Sequence, residues 1–212
     1  MDDLFKPFIA ETQSFLNRLA QNNSRDWFIE NKIEFDQRLK APAMVLLDVL
    51  SDDVRDLCGL TPTVKLFRQN RDVRFSKNKA PYKTHLHMLW ETARPGGGKA
   101  AWFFGIERDG VRAGGGVLGF DAPTLLSYRA SVDHGPLGAA LDAAHKTFVF
   151  REPELKRVPA PFPADHPRGA FLRQKSLIGW RALDQGVEDL PRAIAQVFKE
   201  FAPVQLGLLD LH

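Results

Sequence analysis

Residues 101–118 read AWFFGIERDGVRAGGGVL. Two apolar runs flank Asp109-Gly110, a strong short-range signal for a β-hairpin. A two-residue turn there places Arg108 opposite Val111, and each earlier residue opposite a later one in step. One face then pairs Ile106 with Ala113, Phe104 with Gly115, and Trp102 with Val117. That face is apolar and is expected to lie on the core. The other face pairs Glu107 with Arg112, Gly105 with Gly114, and Phe103 with Gly116, so it is nearly bare backbone. Glycine weakens a strand, so such a strip marks the close approach of a helix, another backbone or a ligand.

Working outward, the preceding segment alternates Leu86, Met88 and Trp90 with His85, His87, Leu89 and Glu91. Period two predicts a half-buried strand. A further strand is predicted over Thr63 to Gln69, after a proline-containing turn, and another over Ser176 to Ala182. Arg94-Pro-Gly-Gly-Gly-Lys99 is a loop. The first 58 residues are helical by pattern. Phe8, Phe15, Leu16 and Leu19 fall at helical spacing, and Asn22-Asn23-Ser24 interrupts them. Ser24 caps a second helix from Arg25 to about Lys40. Pro42 starts a third, which Gly59 ends. Asp121 caps a helix through Tyr128, a short helix runs from Gly135-Pro136 to His145, and Asp189 to Ala202 forms the last. Five prolines between 151 and 169 predict an extended connection. The fold class is therefore α+β, an antiparallel sheet with a central hairpin covered by segregated helices. It is read as a single domain over residues 1–212, with a helical part at 1–58 and sheet plus helices at 63–212.

Composition agrees with that class. The 212 residues are 44% hydrophobic and 26% charged, with 16 Phe and 4 Trp to fill a core. These values exclude a disordered, collagen-like or disulfide-rich chain. The longest run without a charge is nine residues, Phe201 to Leu209, against the roughly 20 that span a bilayer. MDDLFKPF at the start does not resemble a secretory signal. One cysteine, Cys58, forms neither an internal disulfide nor a multi-cysteine metal site. A cytoplasmic location is expected, without membrane association. Oligomeric state and cofactor are not legible.

The charge is uneven. The net charge of the chain is +3, yet Lys65 to His87 holds seven Lys or Arg against one acid, Asp72. That segment carries +6 and the remainder −3. Its centre, FRQNRDVRFSKNKAPYKTH at 67–85, spaces Arg68, Arg71 and Arg74 every third residue, followed by Lys77, Lys79 and Lys83. In a helical turn the three arginines share a side; in a strand Arg71 opposes the other two. Guanidinium groups suit planar carboxylate or phosphate oxygens. They also suit structural ion pairs with Asp72, Asp26 or Glu30, so a ligand site and an ion-pair network both stand.

Several separated motifs resemble one family. Asn22-Asn23-Ser24-Arg25-Asp26-Trp27-Phe28 with Asn31-Lys32 resembles the amino-terminal signature of the domain of unknown function 2461, a bacterial and fungal family of conserved hypothetical proteins. Arg71-Asp72-Val73-Arg74-Phe75-Ser76-Lys77, then Lys79 and Pro81-Tyr82-Lys83-Thr84-His85, resembles its central signature. Gly114-Gly115-Gly116, Asp165-His166-Pro167 and Lys175-Ser176 follow in the same order. The resemblance implies a single-domain protein without an assigned activity. His87 and the Pro-Gly-Gly-Gly loop lie outside the pattern.

Together the motifs suggest that Arg25, the basic segment and Lys175 converge on the glycine strip as one anion pocket. Arg68, Arg71 and Arg74 would hold a small phosphate- or carboxylate-bearing molecule. Lys79 or Lys83 would stabilise charge, and Tyr82 or His85 would donate a proton. The alternatives are nucleic-acid binding, with Phe75, Tyr82 and Trp90 stacking bases, and a structural or interaction module. His85, His87 and Glu91 share one strand face and could hold a metal, but no metal site is assigned on so common a pattern. His134, His145 and His166 read as solvent or turn histidines. Neither a phosphate-binding loop nor a nucleophile elbow is present.

Overall fold

A computed structural model describes residues 2–212. The elements run α1 (Asp2–Phe5), α2 (Phe8–Gln21), α3 (Arg25–Glu30), α4 (Lys32–Glu34), a π-helical turn (Phe35–Lys40), α5 (Ala41–Cys58), β1 (Thr63–Leu66), β2 (Leu86–Ala93), β3 (Lys99–Ile106) and β4 (Val111–Val117). There follow α6 (Ala122–Asp133), α7 (Pro136–Ala144), β5 (Val149–Phe150), α8 (Gly169–Leu172), β6 (Leu177–Ala182) and α9 (Leu190–Leu209). The six strands form one antiparallel sheet in the order β1-β2-β3-β4-β6-β5. The α+β expectation holds. None of the described helices is long and apolar enough to cross a membrane.

The caps read from sequence at Ser24 and Asp121 are present, and Asp189 adds a third. Ser24 Oγ accepts from Trp27 N, Asp121 Oδ1 from Thr124 N, and Asp189 Oδ1 from Arg192 N. Gly59 ends α5 with φ of 72°, the left-handed conformation that glycine adopts without strain. Pro42 sits in the first turn of α5, the helix start it predicts, although the π-turn joins that helix to α4 without a break. The π-turn just before α5 carries the bond from Ala41 N to Asp36 O. The last helix does not end at Ala202; α9 runs on through Pro203 to Leu209, with Val204, Gln205, Leu208 and Leu209 buried beyond it. Tertiary burial outweighs the proline penalty there.

The central hairpin keeps its predicted faces but not its predicted register. Ile106 faces Val111, Phe104 faces Ala113 and Trp102 faces Gly115, two residues from the sequence expectation. The connection is therefore four residues, closed by Glu107 N to Gly110 O at 2.8 Å. Neither Asp109 nor Gly110 has the positive φ that a two-residue type I′ turn requires. A two-residue shift preserves parity, so every side chain stays on its expected face.

The main core lies on one face of the sheet. Trp90, Trp102 and Phe104 are fully buried there with Phe198 and Leu47. The Trp90 indole donates to Leu47 O at 2.8 Å, tying β2 to α5. On this face Gly115 admits α9, since a Cβ would lie 2.5 Å from Gln205 Nε2. The opposite face carries a small cluster of Leu89, Ala101, Phe103 and Ile178, flanked by Phe67 and Trp180. The glycine strip lies on this second face, and neither a helix nor a ligand explains it. A Cβ on Gly114 would sit 1.9 Å from Gly179 O of β6, and one on Gly105 would sit 2.8 Å from the His87 ring.

Candidate functional site

Residues 67–85 are neither strand nor helix. The segment leaves β1, arches away, and returns to β2 through Arg71 N to Pro81 O at 2.8 Å and Lys83 N to Gln69 O at 2.7 Å. Asn23 pins its base. Its amide donates to Tyr82 O and accepts from Tyr82 N, both at 3.0 Å. The two strongest sequence signatures, around residues 22–28 and 71–85, are thus joined backbone to side chain. Beneath them the Tyr82 ring stacks on Phe28 with centroids 4.1 Å apart.

This arrangement sorts the basic residues. Arg74 pairs with Asp72 through two hydrogen bonds at 2.7 and 3.0 Å, and both are exposed. That pair holds the Asp72 carboxyl below its usual range. Asp72 is thereby taken, and Arg71 turns inward instead. Its guanidinium reaches Ala80 O at 3.3 Å and Ser76 Oγ at 3.4 Å, with no carboxylate partner among the described residues. Arg71 lines a cleft of about 430 Å³ with Asn23, Asn78, Lys83, His85 and Arg108. Lys83 likewise makes no ion pair among the described residues. Burial, then the nearby Arg68 and Lys65 charges, push its ammonium below the usual lysine value.

Other expected members lie elsewhere. Arg68 and Arg25 are exposed and do not line the cleft, nor does Lys79, whose ammonium binds Val73 O at 3.1 Å. Lys175 precedes β6, whose Leu177 pairs with Val117, whereas His87 and Gly105 lie toward the opposite end of the sheet. Convergence of Lys175 with Arg71 does not occur. The Lys175 amide is bound instead to Glu154 Oε2 at 2.7 Å. Tyr82 and Trp90 are buried and cannot stack bases, while Phe75 stands 96% exposed with Arg74 above its ring.

At the wall of the cleft, His85 stacks on His87 with ring centroids 3.9 Å apart. Burial and the His87 ring, with Lys83 and Arg71 behind it, push His85 down to about 4 against the pull of Glu107. It is a neutral imidazole at neutral pH. His87 Nε2 hydrogen-bonds Glu107 Oε1 at 2.8 Å, which holds that carboxyl below its usual value. Sequence reading joined these histidines to Glu91; the β2–β3 ladder joins them to Glu107 instead. Glu91 lies farther along β2 and is exposed. The signal for Glu107 was the pairing of β2 with β3, which one strand's periodicity does not contain.

His166 is likewise not a solvent histidine. Its Nε2 hydrogen-bonds Asp133 Oδ1 at 2.9 Å and its Nδ1 accepts from Arg168 N at 3.0 Å. Arg168 extends this network to Asp142 and to the Val132 and Asp133 carbonyls. The Asp165-His166-Pro167 motif therefore anchors the proline-rich connection to α6 and α7.

The model of the DUF2461 family, described as conserved hypothetical protein, matches residues 11–205. No curated protein and no solved structure matches the chain.

Proposed function

Because the chain belongs to the DUF2461 family of conserved hypothetical proteins, whose description carries no activity, we propose its function from the cleft: it binds a small phosphate- or carboxylate-bearing molecule. The observation that carries this reading is the pairing state of the cations. Arg71 and Lys83 line one cleft, and among the described residues neither meets a carboxylate. A buried or half-buried cation without a counter-ion is costly, and an anionic ligand supplies one. Asn23 and Asn78 add neutral donors, and Arg108 is held at the rim by Asn17 Oδ1 at 2.9 Å. The same pairing state weighs against a purely structural ion-pair network. Among the described residues, the one ion pair made by the lysines and arginines of 65–87 is Arg74 with Asp72, and it is solvent-exposed.

A thermal-shift screen of inorganic phosphate, pyrophosphate, nucleotides, sugar phosphates and dicarboxylates tests this. A ligand at 100 times its dissociation constant stabilises by about 2.7 kcal/mol, or roughly 5–10 °C for a chain of this size. Arg71→Ala should abolish the shift. Absence of any shift, together with a large fall in the melting temperature of Arg71→Ala, would support a structural role instead.

Nucleic-acid binding is the second reading, favoured by Phe75 on a loop carrying Arg74, Lys77 and Lys79. Salt separates the two. An oligonucleotide contacting six or more phosphates loses about a thousandfold in affinity between 50 and 200 mM salt, whereas a small ligand in a cleft loses far less.

A further inference from the structure

Beside the basic cleft, the antiparallel ladder gathers a second set of groups. His85 and His87 lie two residues apart on one face of the β2 strand line. Glu107 follows the end of β3, next to the Leu86–Ile106 and His87–Gly105 pairs. One donor atom from each residue lies within 4.8 Å of the other two. Metal bonds to imidazole nitrogen and carboxylate oxygen are about 2.0–2.2 Å, so neighbouring ligands of one ion stand about 3.0–3.4 Å apart. His87 Nε2 and Glu107 Oε1, at 2.8 Å, are already close to that spacing.

We propose that His85, His87 and Glu107 form a binding site for one divalent transition-metal ion, with its remaining coordination positions facing the adjoining clefts. Imidazole nitrogens select zinc, iron, cobalt or nickel over magnesium and calcium, which take all-oxygen sets. Three protein ligands with open positions are the pattern of sites that bind a further molecule, not of closed structural sites.

Two independent observations support the assignment. Gly105 is the cross-strand partner of His87, and any Cβ there would lie 2.8 Å from His87 Cδ2 and 3.0 Å from Nε2. A glycine inside a strand destabilises it; here it leaves the room in which the imidazole stands. The site is also reachable. His85 lines the cleft that holds Arg71, Glu107 lines a neighbouring one of about 300 Å³, and the two clefts share Thr84 and Arg108. Gln13 Nε2 donates to Glu107 O at 3.3 Å and steadies the strand end that carries the carboxylate.

The inference stands on donor geometry and does not require the anion-binding reading. An ion without a phosphate response would sustain this site and remove that reading, and the reverse result would do the opposite. The test is calorimetric titration of the untagged, chelator-stripped chain with zinc chloride and cobalt chloride, with magnesium chloride as the comparison. Expected are one zinc or cobalt ion per chain, visible absorption from bound cobalt, and no magnesium binding. Glu107→Gln and His87→Ala should each weaken binding at least about 100-fold, since even outer-shell partners of metal ligands are worth 10–100-fold. Gly105→Ala should weaken it by displacing the His87 ring, while Glu91→Gln should leave it unchanged. If His87→Ala fails to fold, Glu107→Gln and Gly105→Ala carry the test. The proposal is overturned if the wild type binds no stoichiometric ion, or if binding survives undiminished in Glu107→Gln and Gly105→Ala.

Discussion

Gly105 and Gly114 share the face of the sheet opposite the main core, yet alanine should affect them very differently. At Gly105 the added Cβ meets the His87 imidazole at 2.8–3.0 Å, the end of a side chain that can rotate away. Rotation breaks the His87–Glu107 hydrogen bond between partners that are each about one-third exposed, which costs about 1 kcal/mol at most. Alanine recovers roughly 0.5–1 kcal/mol of the entropy that glycine loses on folding. Gly105→Ala should therefore lie within about 1 kcal/mol of wild type, or about 2–4 °C. At Gly114 the Cβ would lie 1.9 Å from Gly179 O and 3.0 Å from Trp180 Cα, which are backbone atoms of the paired strand. To admit it, β4 and β6 must separate by more than an ångström. Overpacking costs about 1–3 kcal/mol and each lost ladder bond about 1 kcal/mol. Gly114→Ala should therefore cost about 3 kcal/mol or more, a fall of at least about 6 °C. Urea unfolding followed by circular dichroism measures both. Equal destabilisation of the two variants, or a neutral Gly114→Ala, would refute the account of the strip.

Further outcomes follow from named contacts. Asn23→Ala removes two hydrogen bonds to the Tyr82 backbone and should cost about 1–3 kcal/mol, with amide exchange accelerated in residues 70–83 by mass spectrometry. Asp133→Ala removes the acceptor of the His166 ring, whose side chain is 10% exposed, and should cost about 1–3 kcal/mol in the same urea assay. Glu154 would be raised by burial, but bonds from Ser176 Oγ and Lys175 N hold it below its ordinary 4.5. A folded value below the unfolded one contributes stability above pH 4.5 that is lost as pH falls through the folded value. Glu154→Gln should thus be less stable than wild type at pH 7, with the difference constant down to about pH 4.5 and shrinking below it in parallel urea titrations.

What was legible in the sequence follows the range of the forces involved. Caps at Ser24 and Asp121 and the terminator Gly59 are local, so they read correctly. The hairpin faces survived an error in turn length because side-chain alternation depends only on parity. The end of the last helix was misplaced at Ala202 because buried residues beyond Pro203 carry α9 on to Leu209. The site was harder. The basic segment was plain, but which arginine faces the cleft depends on Asp72 engaging Arg74 and leaving Arg71 without a carboxylate. The His85–His87–Glu107 cluster depends on cross-strand pairing, and the His166–Asp133 bond on a contact 33 residues apart. Neither leaves a periodic signal in one strand.

The measurement closest to the central claim compares two arginines three residues apart. Pyrophosphate is titrated calorimetrically into the wild type, Arg71→Ala and Arg74→Ala. With Arg71 lining the cleft and Arg74 paired to Asp72 outside it, binding should be at least about tenfold weaker in Arg71→Ala, as loss of a charged hydrogen bond worth about 1.5–3 kcal/mol requires. Arg74→Ala should match the wild type. Equal losses in both variants would mean that diffuse loop charge binds the anion, and no loss in Arg71→Ala would remove the cleft from the account.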